Sequence, residues 1–414
     1  MATLRPFKGL RPVKELAEKV ASFPYDVIDS KEARELAKGN PYSFLHVGKS
    51  EIDLPVDTDL YGPKVYAKAK ENLQKFIQDK VLVQDSAPYL YIYRQTMEGR
   101  EQYGIVATAS VNEYNKNIIK RHELTRKDKE DDRTNHTLGI MANAGPVFLT
   151  YRDSQTVNRI VADFVKNNSP EYDFIKEDKI AHTLWVVKDS SLIQSLVAEF
   201  KKIPALYIAD GHHRNASAAR AQKILKEKDT NPSPDKEYNY YLACFFPASH
   251  LKIFDYNRLA INLNGHDEKT FLEKVQEKFE IIGTDTAADP KKPGEFGMYL
   301  GQKWYQLRAK SGTYPKHDPV AGLDVSVLQN NLLRPVLGID DPRTSKNIDF
   351  VGGIRGAKEL QRRVDNGDAK VAFKLYPPSI EQLLTVSDAN LIMPPKSTWF
   401  EPKLRSGLVV HLLD

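Results

Sequence analysis

Asp210, Gly211, His212, His213 and Arg214 stand in a row between an apolar run, residues 205–208, and an alanine-rich stretch that reaches Leu225. A strand that delivers such a group onto the start of a helix is suited to meet an anion. The first-turn N–H groups have no intrahelical partners, and the helix dipole favours negative charge there. Gly211 allows close backbone approach, and Arg214 can fork onto phosphate oxygens. Asp210 is the odd member, because a carboxylate beside a phosphate normally needs a metal ion or a proton between them. The row reads as a phosphate or nucleotide site. Gly211, His212 and Arg214 are its candidate binders, Asp210 and His213 its candidate catalytic groups, and Asp210 the candidate ligand of Mg²⁺ at its edge. The plain alternative is that Asp210 caps the helix and the histidines face solvent.

A second group lies in the charged segment 118–136. Here Glu123 is a candidate general base. Arg121, His122, Arg126, Lys127, Arg133 and His136 are candidate phosphate ligands. A carboxylate among cations titrates low, so it stays ionised and able to accept a proton. Such a run is otherwise a solvated charged face. A third group, Pro394-Pro395-Lys396-Ser397-Thr398 with Lys403 behind it, offers an ammonium and two hydroxyls on a stiffened approach. It also reads as an exposed turn before a last strand at 408–413. Asn40, Tyr42 and Ser43 form a fourth, either a helix-ending turn or the wall of a substrate pocket. Patterns for other chemistries are missing. The sequence holds no GxxxxGK(S/T) loop, no GxGxxG fingerprint after a strand, no HExxH and no GxSxG.

The Asp210-Gly211-His212-His213-Arg214 row, followed by Ala216 and Ala218-Ala219, resembles the nucleotide-binding motif of the ParB/sulfiredoxin-like superfamily, and within it the free serine kinases. The chain as a whole resembles a widespread bacterial family catalogued as a conserved domain of unknown function. That likeness is carried by residues 23–27 (FPYDV), 40–44 (NPYSF), His122-Glu123, the DGHHR row and residues 394–398 (PPKST). The resemblance implies a kinase-type phosphotransferase of serine metabolism that acts on free L-serine or O-phosphoserine. Pyrophosphate or ADP would be the donor, and Glu123 would activate the hydroxyl. Abundant cations and the lack of an adenine-binding signature favour pyrophosphate. The rival readings are a phosphoserine phosphatase and a non-enzymatic, nucleotide-responsive ParB-like binding protein. Sulfiredoxin-type thiol chemistry is disfavoured, since no cysteine lies near the DGHHR row.

The elements that must position these groups point to an α+β (mixed α/β) chain. The resemblance implies a ParB/sulfiredoxin-like nucleotide- or phosphate-binding core at its centre, with additional N- and C-terminal α/β segments. At 414 residues more than one domain is expected. The reading is a helical substrate-wall segment at 1–86, a catalytic core at 87–264 and a C-terminal α/β domain at 265–414. Strands are expected at 89–94 and 102–112, joined as a hairpin through Met97-Glu98-Gly99-Arg100, and at 147–151, 179–187, 205–208, 238–246 and 251–259. Helices are expected at 65–80, 157–166, 190–201, 325–337, 357–365 and 380–387, with a clear loop at 287–294. Cys244, the single cysteine, lies in an apolar run and reads as a buried strand position. Sixty basic residues against fifty-five acidic give a formal net charge of +5, too mild for a nucleic-acid partner. No apolar signal core or membrane-length stretch is evident. A cytoplasmic enzyme with a small-molecule partner is therefore expected, its oligomeric state open.

Overall fold

The computed structural model describes residues 1–284 and 288–414, and the chain is mixed α/β. Its contacts divide it into two units. The first comprises Met1–Arg121, Thr125–Leu251 and Pro402–Asp414; the second comprises His122–Leu124 and Lys252–Glu401.

The first unit is built on an eight-stranded sheet. Its strands are β1 (Leu90–Met97), β2 (Arg100–Ser110), β3 (Ile119–Lys120), β4 (Val147–Tyr151), β5 (Tyr172–Ile175), β6 (Ala181–Val187), β7 (Leu206–Asp210) and β8 (Tyr240–Pro247). They lie in the order β3-β7-β4-β8-β2-β1-β6-β5, and β4 runs parallel to β8 but antiparallel to β7. The β1–β2 hairpin turns where expected. Glu98 and Gly99 adopt φ of 52° and 77°, the left-handed pair that matches strand twist in a two-residue turn.

Helices α1 (Pro63–Gln78), α2 (Lys127–Ile140), α3 (Gln155–Asn167), α4 (Ser190–Phe200) and α5 (His212–Lys228) are among those that belong to this unit. Alternation along the strands decides which face of the sheet is apolar. Ile105, Ala107 and Ala109 of β2 and Tyr241, Ala243 and Phe245 of β8 share one cluster with Val157, Leu196, Phe200 and Ala218 from α3, α4 and α5. Each large apolar side chain buried this way stabilises by about 1.5–3 kcal/mol. Cys244 points to the opposite face and is fully buried, as its surroundings suggested. On that face Gln102 Nε2 donates to Gln95 Oε1 (2.9 Å), and Gln95 Nε2 donates to the Lys403 carbonyl (2.9 Å). The segment from Pro402 onward is thereby held against the sheet.

Helix α2 departs from the reading of segment 118–136 as a solvated face. Asp132, Thr134, His136, Thr137 and Ile140 are buried along one side of it. That side is mostly polar, so no apolar repeat announces a helix. The last strand, expected over 408–413, shrinks to His411–Leu412, paired with Ala142–Asn143.

The second unit holds a six-stranded antiparallel sheet. Its strands are β9 (Tyr256–Ala260), β10 (Phe279–Thr284), β11 (Glu295–Leu300), β12 (Lys303–Ala309), β13 (Ile348–Gly352) and β14 (Val371–Leu375), in the order β10-β12-β11-β14-β9-β13. Helices α6 (Glu268–Lys278), α7 (Gly356–Asp365) and α8 (Ile380–Asp388) belong to it. The strand expected over 251–259 is two, Ile253–Phe254 and β9. They part at Asp255, whose carbonyl accepts from the Gly353 N–H (2.7 Å). The helix expected over 325–337 is α-helical only at Asp324–Leu328. It then widens, with Arg334 N donating to the Gln329 carbonyl five residues back (2.9 Å). Ala287, the first residue of the expected loop 287–294, lies outside the described residues. Among the described residues no helix is long and apolar enough to cross a membrane.

Candidate functional site

Strand β7 carries the DGHHR row to the edge of the first unit's core. Leu206, Tyr207, Ile208 and Ala209 are buried, the pairing with β4 shifts between Ile208 and Asp210, and Asp210 emerges half-buried. Gly211 then turns the chain at φ 90° and ψ 32°, and α5 begins at His212. An added Cβ there would meet the Arg214 guanidinium at 3.5 Å, so backbone strain and not collision is the obstacle to a side chain. Gly211→Ala is expected to destabilise the fold by about 1–2 kcal/mol. Denaturant unfolding of the two proteins checks this, and equal midpoints would mean the turn is unstrained.

Asp210 is held between a backbone N–H and a cation. Its Oδ1 accepts from Gly211 N (2.9 Å), and its Oδ2 lies 3.1 Å from Lys403 Nζ. Burial works to raise its pKa, but Lys403 and Arg214 outweigh that and hold the carboxyl well below the usual range. The expected partner at this position is Mg²⁺; the cation that faces it is the Lys403 ammonium. Mg²⁺ demands a near-octahedral set of oxygens. A single carboxylate turned toward an ammonium does not fit a dedicated Mg²⁺ site.

Arg214 ties three segments together. Nη2 donates to both Asp26 oxygens (2.9 and 3.2 Å) and Nη1 to the Pro146 carbonyl (2.5 Å). Burial opposes its charge, yet Asp26 and Asp210 raise its pKa and keep it protonated. Arg214 Nε and both side-chain polar atoms of Asn215 are buried with no hydrogen-bond partner among the described residues. Buried polar atoms nearly always find partners, so these mark a place where a ligand or water belongs.

Helix α2 brings Arg133 and His136 to the same place. The Arg133 guanidinium stacks 3.9 Å over the Tyr25 ring, and Arg214 lies 6.0 Å from that ring's centre. Arg133, His136 and Arg214 line one cavity, together with Tyr25, Asn143 and Ser406. His136 Nε2 lies 2.9 Å from the Val47 carbonyl, which can only accept, so the proton sits on that nitrogen. Burial, then Arg133, lowers its pKa to about 4, and the ring is neutral at pH 7.

A histidine buried in the neutral form has its folded pKa below the unfolded value, so the unfolded chain binds more protons between about 4 and 6.5. The stability this provides is complete above pH 6.5. It is lost as pH falls toward 4, by about 3 kcal/mol at the limit. His136→Gln is expected to flatten unfolding free energy against pH across that window. An unchanged slope would show that His136 titrates normally.

The remaining candidates are placed more simply. His213 Nε2 accepts from the Arg126 N–H (3.0 Å), which ties α5 to the start of α2. The Arg126 and Lys127 side chains are exposed and paired with Asp128 (2.8 Å) and Asp131 (2.6 Å), and Arg121 is exposed. Asn40 accepts from Tyr42 N (3.2 Å) and donates to the Lys19 carbonyl (2.8 Å), while Ser43 Oγ lies 3.1 Å from Ser22 Oγ. These three residues build a turn, and it is the next one, Phe44, that lines the cavity. His122, Glu123, Lys396, Ser397 and Thr398 belong to the second unit. There Met393 N donates to the His122 carbonyl (2.8 Å), and His122 Nε2 lies 3.3 Å from Thr398 Oγ1, so two motifs distant in sequence meet. Ser397 Oγ donates to the Pro394 carbonyl (2.6 Å).

Tyr25, Asp26 and Lys403 enter the site although their spacing gave no sign of it. The available signal was position alone. Tyr25 and Asp26 lie in the FPYDV block, and Lys403 follows PPKST.

No curated protein matches the chain. Among solved structures, a conserved hypothetical protein from Pyrococcus furiosus is 14% identical at a TM-score of 0.36, over 75% of this chain and 95% of that one. A free serine kinase in complex with AMP is 12% identical at a TM-score of 0.37, over 74% and 91% of the two chains. SbnI with a C-terminal truncation, from Staphylococcus aureus, is 11% identical at a TM-score of 0.39, over 74% and 87%. Likenesses of this strength carry no functional argument. A family model matches residues 4–326, and the chain belongs to that family, described as a protein of unknown function, DUF1015.

Proposed function

We propose that this chain is a small-molecule phosphotransferase acting on free L-serine or O-phosphoserine, on a ParB/sulfiredoxin-like core. The observation that carries the reading is the cavity beside α5, whose lining includes Arg133 and Arg214. Phosphoryl transfer is mostly positioning and charge stabilisation, which fixed guanidinium groups supply. Arg214 Nε, a buried donor without a partner among the described residues, suits a phosphate oxygen.

In the proposed reaction the serine hydroxyl oxygen attacks a donor phosphorus, and the bond to the bridging oxygen breaks. Its electron pair leaves with phosphate from pyrophosphate, or with AMP from ADP. Glu123 takes the hydroxyl proton, a role that comes from the resemblance of its segment and not from a distance. The richness in cations favours pyrophosphate as donor. Mg²⁺ carried in with the donor would supply neutralisation of its phosphate charge. Asp210 is assigned to fix Lys403 and Arg214.

Phosphorus NMR tests the reading: L-serine with Mg²⁺ and, in separate tubes, pyrophosphate, ADP and ATP. O-phosphoserine from pyrophosphate or ADP is the expected result. Phosphate release from O-phosphoserine without any acceptor would replace the transferase by a phosphatase. Inactivity in every tube, with salt-sensitive retention on DNA, would replace it by a nucleotide-responsive binding protein.

A further inference from the structure

His46 lies in the short helix Leu45–Gly48, which follows the turn built by Asn40, Tyr42 and Ser43. Phe44 and Gly48, at its two ends, line the cavity beside α5. A helix of one turn has almost no ladder of its own, so its place depends on what grips it from outside. One grip is His136, whose Nε2 lies 2.9 Å from the Val47 carbonyl. Another is Asn72 of α1, whose Nδ2 donates to the His46 carbonyl (2.6 Å) and to Asp53 Oδ2 (2.7 Å).

The third grip is the His46 ring. Its Nδ1 lies 2.8 Å from Asp53 Oδ1, and its Nε2 lies 3.1 Å from the Asn40 carbonyl. A carboxylate and a carbonyl only accept. Both contacts are therefore hydrogen bonds at the same time only when both ring nitrogens carry protons. The charged ring ties the turn before the helix and the turn after it, Ser50–Asp53, to the helix between them. A neutral ring has one proton and must give up one of the two bonds.

The surroundings favour the charged form. The hydrogen bond to Asp53 raises the pKa of His46; burial and Lys68 oppose the rise, and the Asn40 carbonyl adds to it. Other charged groups packed around the pair are engaged elsewhere. Lys68 of α1 pairs with Glu71 (2.8 Å), Glu51 pairs with Lys49 (3.0 Å), and Arg34 donates to the carbonyls of Glu51, Ile52 and Leu54.

We propose that His46 is a proton-operated clasp on the wall of the cavity beside α5: doubly protonated it closes the segment 40–54 on itself, and loss of one proton toward alkaline pH loosens that segment. Phe44 and Gly48 carry the change to the cavity. The clasp concerns the wall and not the ligand, so it stands apart from the phosphotransferase reading. A folded pKa above the unfolded one gives a contribution that is whole below about pH 6.5 and is lost as pH rises through the folded value. His136 does not act in this range, because burial keeps its ring neutral down to about pH 4.

Two measurements on the full chain test the clasp. The first is an NMR titration of the histidine rings, with the His46 signal among the 10 histidines assigned by its loss in His46→Gln. A midpoint above about 6.5 is expected, and Asp53→Asn should bring it down. The second is amide hydrogen exchange over residues 40–54 at pH 6 and pH 9, corrected for the intrinsic rate. Protection should fall by about threefold or more at the higher pH in the unmodified protein, and His46→Gln should flatten the difference. The local readout matters because Asp324, in the second unit, also titrates near pH 7. A His46 midpoint at or below about 6.5 would overturn the proposal. Equal protection at the two pH values would overturn it as well, whatever the midpoint. Both decisive readings come from the unmodified protein, so the test stands even where a variant fails to fold.

Discussion

Glu123→Gln is expected to lower turnover by about 10²–10⁴-fold while the affinity for the phosphate-bearing ligand changes little. Glutamine keeps the size and the hydrogen-bonding carbonyl of glutamate but cannot take a proton at neutral pH. A base that acts only as the hydroxyl attacks therefore shows its loss in the rate and not in ground-state binding. Phosphorus NMR gives the rate and calorimetry with pyrophosphate gives the affinity. Normal turnover in Glu123→Gln removes the proposed mechanism at its centre. An equal loss in both measurements would make Glu123 a binding group.

Arg214→Ala is expected to weaken pyrophosphate or ADP by about 10- to 100-fold and to slow turnover as well, since hydrogen bonds to charged groups contribute about 1.5–3 kcal/mol. Two effects add. The ligand loses the buried Nε donor, and Asp26 and Asp210 lose the cation that offsets them. A double-mutant cycle separates the two. If repulsion from Asp26 dominates, removing it with Arg214 restores affinity; if the lost Nε donor dominates, the double variant stays weak. Arg214→Lys should recover only part of the loss, because an ammonium cannot bond Asp26, Pro146 and a phosphate with one planar group. Full affinity in Arg214→Ala would show that the cavity is not the phosphate site.

Much of the first unit's order was legible wherever one face of an element is apolar. Helices α3 and α4 carry that signature, whereas the hairpin at Glu98-Gly99 is legible from its turn and the strands at 147–151 and 206–209 from continuous apolar runs. Helix α2 lacks the signature, because its buried side is largely Asp132, Thr134, His136 and Thr137. In the second unit β13 and β14 escaped notice, and residue 255 divides a run that reads as one strand. Repeats report which side of an element avoids water, and they fall silent where polar groups are buried or strands are short.

The sequence by itself determined that a strand ends in Asp210-Gly211 and passes DGHHR to a helix. Tertiary structure alone decided which partners those residues meet. Lys403 reaches Asp210 across 193 positions, Arg214 reaches Asp26 across 188, and Arg133 covers Tyr25. The reason is physical. Local pattern encodes propensity and burial over a few residues, whereas an ion pair between distant segments forms only when chain closure brings them together. Such a pair leaves no period in the sequence between its ends.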